Sequence, residues 1–202
     1  LFEMKKTYSF DIFDTCLVRK CGCPDNLFRL WADRALGEVD LSYLKELVNS
    51  RLNAEKMARK ELGKEDVTLD DIYRHLCLES FPNLTIPILK QLELDVESEN
   101  LSPVRHVLDL IRDYRKKSGR ILFISDMYLP SDFLRSLLRQ FGFWEEGDSI
   151  YVSGEIGLTK YSGNLQEILV KAYQKWGGEM ADHIYGMFAF ALWDEEEKKL
   201  FC

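Results

Sequence analysis

The feature that most constrains this chain is a pair of strand-like runs separated by a long stretch of helical patterning. Residues 7–13, TYSFDIF, are rich in β-formers and end in acidic residues. Residues 120–125, RILFIS, form the continuous apolar run expected of a strand buried on both faces of a parallel sheet. Between them, nearly all of 20–100 reads as helix. PDNLFRLWADRAL places Leu27, Leu30, Trp31 and Arg34 at helical spacing before Gly37, and a second helix carries Leu44, Leu47, Val48 and Leu52 and runs to about Leu62 before Gly63. Thr68 and Asp71 approximate a capping box for TLDDIYRHLCL, and Pro82 separates that piece from an amphipathic stretch over 86–96.

After residue 100 strand and helix alternate. Pro103 is expected to open a helix to about Lys117, closed by Gly119. RILFIS follows, then a helix from a Ser131 cap to Gln140 with Gly142 as its stop, the short strand SIYVS, and a helix over 164–176. This order predicts an α/β fold, a doubly wound, Rossmann-like parallel sheet interrupted after its first strand by a helical insert. The expected division is a core of 1–19 and 101–184, an insert of 20–100 and an atypical tail of 185–202. Ligands of such sheets lie at the strand C-termini, where three polar clusters fall: 11–15, Ser125 with Asp126, and 153–160.

A formal net charge of −7 disfavours nucleic acid and anionic membrane surfaces as partners and leaves room for a small anionic metabolite held locally. No apolar run approaches the roughly 20 residues that span a bilayer, and LFEMKK lacks the order of a signal peptide, so a cytoplasmic location is the default expectation. The five cysteines, Cys16, Cys21, Cys23, Cys77 and Cys202, have no disulfide-framework spacing and fit reduced thiols. Cys16, Cys21 and Cys23 lack the spacing of a metal site, and His75, His106 and His183 are scattered.

A carboxylate at a strand end can attack phosphorus or carbon, which makes Asp11 a candidate nucleophile. Asp and Thr after a strand are also ordinary turn formers, and the functional reading gains weight because a Ser ends the next apolar strand and a Lys follows the one after. A hydroxyl donor and an ammonium beside a carboxylate suit a transferring phosphoryl group.

FDIFDT at 10–15, ILFISDMYLP at 121–130 and IYVSGEIGLTKYSGNL at 150–165 resemble, in order, the first three motifs of the haloacid dehalogenase superfamily. DIFDT, SDMYLP and the SGE-G-x-TK pattern look closer still to a branch some of whose members accompany glycosyltransferases. The resemblance implies Asp11 as nucleophile, Ser125 as the hydroxyl on a substrate oxygen, Lys160 as the cation that holds nucleophile and substrate charge together, Thr15 and Asp126 as substrate-binding neighbours, and the insert as a cap that excludes water and selects substrate. It also implies Mg²⁺, with Asp11 as one ligand.

Two departures qualify it. The superfamily's phosphatases carry an acid two residues after the nucleophile, where this chain has Phe13, an aromatic as in dehalogenase-type members; Asp14 is the substitute within reach of sequence. The expected fourth motif ends in Gly-Asp, whereas His183 and Ile184 lead into Tyr185, Gly186 and Met187. That leaves no second acidic ligand at the family position, with Glu179, Asp182 and Asp194 as replacements. The segment GMFAFALWDEEEKKLF at 186–201 resembles instead a strand segment of the glutaminase domain of asparagine synthetases, and its alternation with a polar EEEKK turn predicts a β-hairpin. That chemistry needs an N-terminal cysteine and the chain begins with Leu1. These features raise two alternatives: a catalytically silent binding or accessory domain, and a fragment, or a junction of two unrelated pieces, linked to an asparagine-synthetase-like protein.

Overall fold

The computed structural model describes residues 7–37, 40–117, 120–157, 159, 192–194 and 199–201. Strand β1 (Thr7–Asp11) pairs in parallel with β4 (Arg120–Ser125), and β4 pairs in parallel with β5 (Ser149–Val152), giving the order β1-β4-β5. The register sets Asp11 opposite Ile124 and Ser125 opposite Val152, so the three strand ends lie side by side. The predicted α/β architecture with a parallel sheet is present, but the first strand closes at Asp11 rather than Phe13, because the backbone turns there.

Helices α5 (Arg105–Lys116) and α6 (Ser131–Gln140) cover the sheet with Val107, Ile111, Leu134, Leu137 and Leu138. These join Tyr8, Phe10, Ile121 and Phe123 in one buried cluster, and Tyr8 stacks on Tyr114 with ring centroids 3.9 Å apart. Two sequence expectations shift. Pro103 ends a strand rather than opening α5, whose N-cap is Val104. Ser131 is the first residue of α6 rather than its cap, and its amide donates to Glu155 Oε1 at 2.7 Å.

The insert consists of α1 (Pro24–Leu36), α2 (Leu41–Leu62), α3 (Leu69–Arg74) and α4 (Ile86–Glu99), with a second buried cluster built on Leu27, Trp31, Leu47, Ile72, Leu89 and Val96. Thr68 and Asp71 form the capping box the sequence suggests, and Gly63 ends α2 in the left-handed conformation that a residue without Cβ adopts freely. The buried face of α1 is rotated from expectation: Leu27, Phe28, Trp31 and Ala32 are inside, while Arg34 faces outward and pairs with Glu99 at 2.6 Å. On α2 the buried set is Leu47, Arg51, Ala54 and Ala58.

The insert leaves and returns through a two-stranded antiparallel ribbon absent from the sequence reading, β2 (Leu17–Arg19) with β3 (Leu101–Pro103), in which Arg19 sits opposite Leu101. A short helix α7 (Ser153–Ile156) follows β5. In the tail, β6 (Leu192–Asp194) and β7 (Lys199–Phe201) pair antiparallel with Trp193 opposite Leu200, the hairpin expected there. Residues 164–176, read from sequence as a helix, lie outside the described residues. Among the described residues no helix is long and apolar enough to cross a membrane.

Candidate active site at the strand ends

Beyond Asp11 the chain folds on itself. Ile12 accepts from the amides of Cys16 and Leu17 at 2.9 and 2.8 Å, and the Asp14 amide donates to Leu17 O at 2.8 Å. This turn forces Asp14 to φ 57°, a left-handed conformation rare outside glycine and tolerated best by Asn and Asp. Asp14 is exposed. Asp11 accepts from the Ile12 amide at 2.9 Å, and burial together with the nearby Asp11 carboxylate pushes the Cys16 thiol well up, so Cys16 stays protonated and inert beside it.

Two hydroxyls at this edge are buried without a hydrogen-bond partner among the described residues: Ser125 Oγ, at the end of β4, and Thr15 Oγ1, in the turn after β1. Leaving such a group unmet costs about 1–3 kcal/mol, and sites that recognise ligand oxygens are where that cost recurs. Asp126, next in the chain after Ser125, is exposed. Lys160 lies outside the described residues, but Thr159 before it is described, and its hydroxyl donates to Glu65 Oε2 of the insert at 2.6 Å.

Phe13 is buried beneath Arg19, whose guanidinium carbon stands 4.5 Å from the ring centroid. Arg19 in turn pairs with Glu97 of α4 at 2.8 Å; burial raises the Glu97 carboxyl above its usual range even against that cation. The position two residues after Asp11 is thus a covered aromatic wall. Sequence reasoning missed Arg19 and Glu97, whose only signal is opposite charge at the two ends of the insert.

It also missed the contact between insert and core. Asp66, in the loop after α2, is nearly fully buried, lies 2.9 Å from Arg59 and accepts a hydrogen bond from Ser153 Oγ at the start of α7. Leu69 N donates to Tyr128 O at 2.8 Å, and the Gly154 amide donates to Met127 O at 3.2 Å. A Cβ on Gly154 would stand 2.5 Å from Val67 O and 2.9 Å from Met127 O, so only glycine fits between the two backbones. The motif SGE signalled Gly154; nothing near Asp66 signalled its partner.

For Mg²⁺, Asp11 is the one ligand the sequence reading places. Among the described residues no group of three or more His, Cys, Asp or Glu is arranged to hold an ion. Of the expected replacements, Glu179 and Asp182 lie outside the described residues, and Asp194 is described only as part of the β6 backbone opposite Lys199. The described residues do not by themselves fit the ion, and no chemical step is assigned to it.

Solved structures with this arrangement of elements include a protein assigned as a HAD-hydrolase from Bacillus subtilis, bound to magnesium, at TM-score 0.51 and 16% identity, covering 91% of this chain and 79% of that one. An L-2-haloacid dehalogenase aligns at TM-score 0.51 and 12% identity, covering 90% and 77%. The fold is that of the haloacid-dehalogenase-like hydrolases and dehalogenases. The C-terminal segment is similar to something else: residues 158–202 match the glutamine amidotransferase domain family. Proteins assigned as glutamine-hydrolysing asparagine synthetases from Mycobacterium bovis and Mycobacterium tuberculosis are 47% identical over 36 residues, 18% of this chain. The matched stretch spans 6% of those relatives' length. A hydrolase-like fold with a short amidotransferase-like segment is therefore what the chain displays.

Proposed function

We propose that this protein is a capped hydrolase that acts through a covalent intermediate on Asp11, on a small phosphomonoester such as a sugar phosphate. The observation that carries the reading is the pair of buried, unpartnered hydroxyls, Ser125 Oγ and Thr15 Oγ1, at the edge where β1 delivers Asp11. An Asp11 oxygen would attack phosphorus and the ester P–O bond would break, releasing the alcohol. Water would then cleave the acyl phosphate to return the carboxylate and free phosphate. Ser125 and Thr15 donate to the phosphoryl oxygens, Lys160 supplies the balancing cation, Asp126 borders the substrate, and residues 20–100 serve as the cap.

Phe13 supplies no proton to the departing alcohol, and Asp14, exposed and one step further on, is the acid we assign to that role. Substrates with good leaving groups are favoured accordingly. The covered Phe13 also favours a second reading, a silent domain that binds an anionic ligand without turning it over.

Phosphate release from a panel of phosphomonoesters, with and without Mg²⁺, separates the two when the chain is compared with Asp11→Asn. Turnover that falls at least about a thousandfold in the variant supports the aspartyl mechanism. Phosphate binding with no turnover above the variant's supports the silent domain.

A further inference from the structure

The loop between α2 and α3 grips both core loops that follow β4 and β5. Asp66 takes the Ser153 hydroxyl while paired with Arg59, Glu65 takes the Thr159 hydroxyl, the Leu69 amide reaches Tyr128 O, and Val67 O lies over Gly154. Ser153 and Thr159 are the two ends of the short segment that leads from β5 to Lys160, and each end donates its hydroxyl to a carboxylate of the insert. A core segment held at both ends by another element takes its position from that element.

We propose that residues 65–69 are a clasp through which the insert fixes the chain after β5 at Ser153 and Thr159. Asp66 and Glu65 are then positioning residues, acting through Ser153 and Thr159. Any effect on turnover rests on the proposed function; the clasp itself does not. The buried Asp66 has charged and hydroxyl partners on opposite sides, one from the insert and one from the core, so loss of the Ser153 contact frees the loop without unpairing Asp66 from Arg59. The missing Cβ at Gly154 permits the close backbone approach that brings these groups together.

The test is amide hydrogen exchange on the full chain, followed at Leu69 and Gly154, in Ser153→Ala, Asp66→Asn and Thr159→Val. The clasp predicts that both amides open together below the free energy of global unfolding and exchange at least about tenfold faster in the variants. Unchanged exchange at Leu69 and Gly154 overturns it, as does exchange of the two amides only at the rate of the β1 amides in the wild type, which would mark opening by global unfolding. Thr159→Val guards against a failure of Asp66→Asn to fold, because Thr159 is only partly buried. The kinetic arm uses whichever phosphomonoester the panel identifies. A fall in kcat of about tenfold with KM held within about threefold, restored by Thr159→Ser, supports a positioning role for the clasp in turnover; an effect confined to KM, or no rescue by Thr159→Ser, overturns that role. If the wild-type chain turns over no phosphomonoester, the proposed activity fails while the exchange arm still decides the clasp.

Discussion

The interior of the insert and the C-terminal edge of the sheet both bury polar groups, yet they treat them in opposite ways. In the insert, Arg51 is completely buried and gripped from both sides by Glu93, with Nε to Oε2 at 2.8 Å and Nη2 to Oε1 at 2.7 Å. Tyr73 donates to the same carboxylate at 2.7 Å, and the guanidinium sits 5.0 Å from the Phe28 ring centroid and 4.9 Å from that of Tyr128. Burial works against the Arg51 charge, but the Glu93 carboxylate more than compensates and holds its pKa up; burial and the same carboxylate keep the Tyr73 phenol protonated. Every strong donor there has its acceptor. At the sheet edge, Ser125 and Thr15 have none. Satisfied buried polarity specifies a structure, whereas an unsatisfied buried hydroxyl calls for a partner, which the proposed function supplies as a ligand's oxygens.

The largest way to break this contrast is Arg51→Met, which strands Glu93 in the interior. Unfolding free energy should fall by about 3–5 kcal/mol, while the double variant Arg51→Met/Glu93→Leu recovers most of the loss, as denaturant titration of both would show. Ser125→Ala should behave in the opposite manner. Removing a hydroxyl that has no partner shifts stability by no more than about 1 kcal/mol, yet weakens calorimetric binding of inorganic phosphate by about tenfold. A destabilised Ser125→Ala with unaltered phosphate affinity would place that hydroxyl among the structural groups and erase the distinction.

The smallest effect concerns pH. His75 touches two acceptors, Asp71 O at 2.8 Å and Glu61 Oε2 at 2.7 Å, so its protonated form has a partner for each ring N–H, and the Asp71 carbonyl followed by Glu61 raises its pKa above the usual histidine value. Its contribution to stability is therefore fully present below the ordinary histidine value and lost as pH rises through the raised one. An imidazole NMR titration set against Tm over that window checks both the direction and the sign.

How far sequence reached follows from the range of the interactions involved. Asp11 and Ser125 were legible because strand ends are local events, written in runs of β-formers followed by a polar residue. The capping box of α3 was legible for the same reason, since Thr68 and Asp71 are three residues apart. Arg51 was not, because its partner stands on another helix and an arginine on a helical face reads as solvated. The ribbon of β2 and β3 escaped because three-residue strands are too short to show alternation. Asp66 and Ser153 come from opposite sides of the fold, and neither sequence neighbourhood contains a trace of the other.

The ribbon also bears on how such a chain can change over generations. Arg19 and Leu101 are the last of three facing pairs, so the two ends of the insert meet at one point, and along the chain the strands below see it as a single wide hairpin turn. Loop-closure entropy grows only with the logarithm of length, roughly 0.6 kcal/mol for each doubling, so whatever is hung from that hinge point can lengthen or shorten at little cost to the strands below it. The ribbon is in effect a socket: it fixes where an insert is mounted while leaving the choice of insert open.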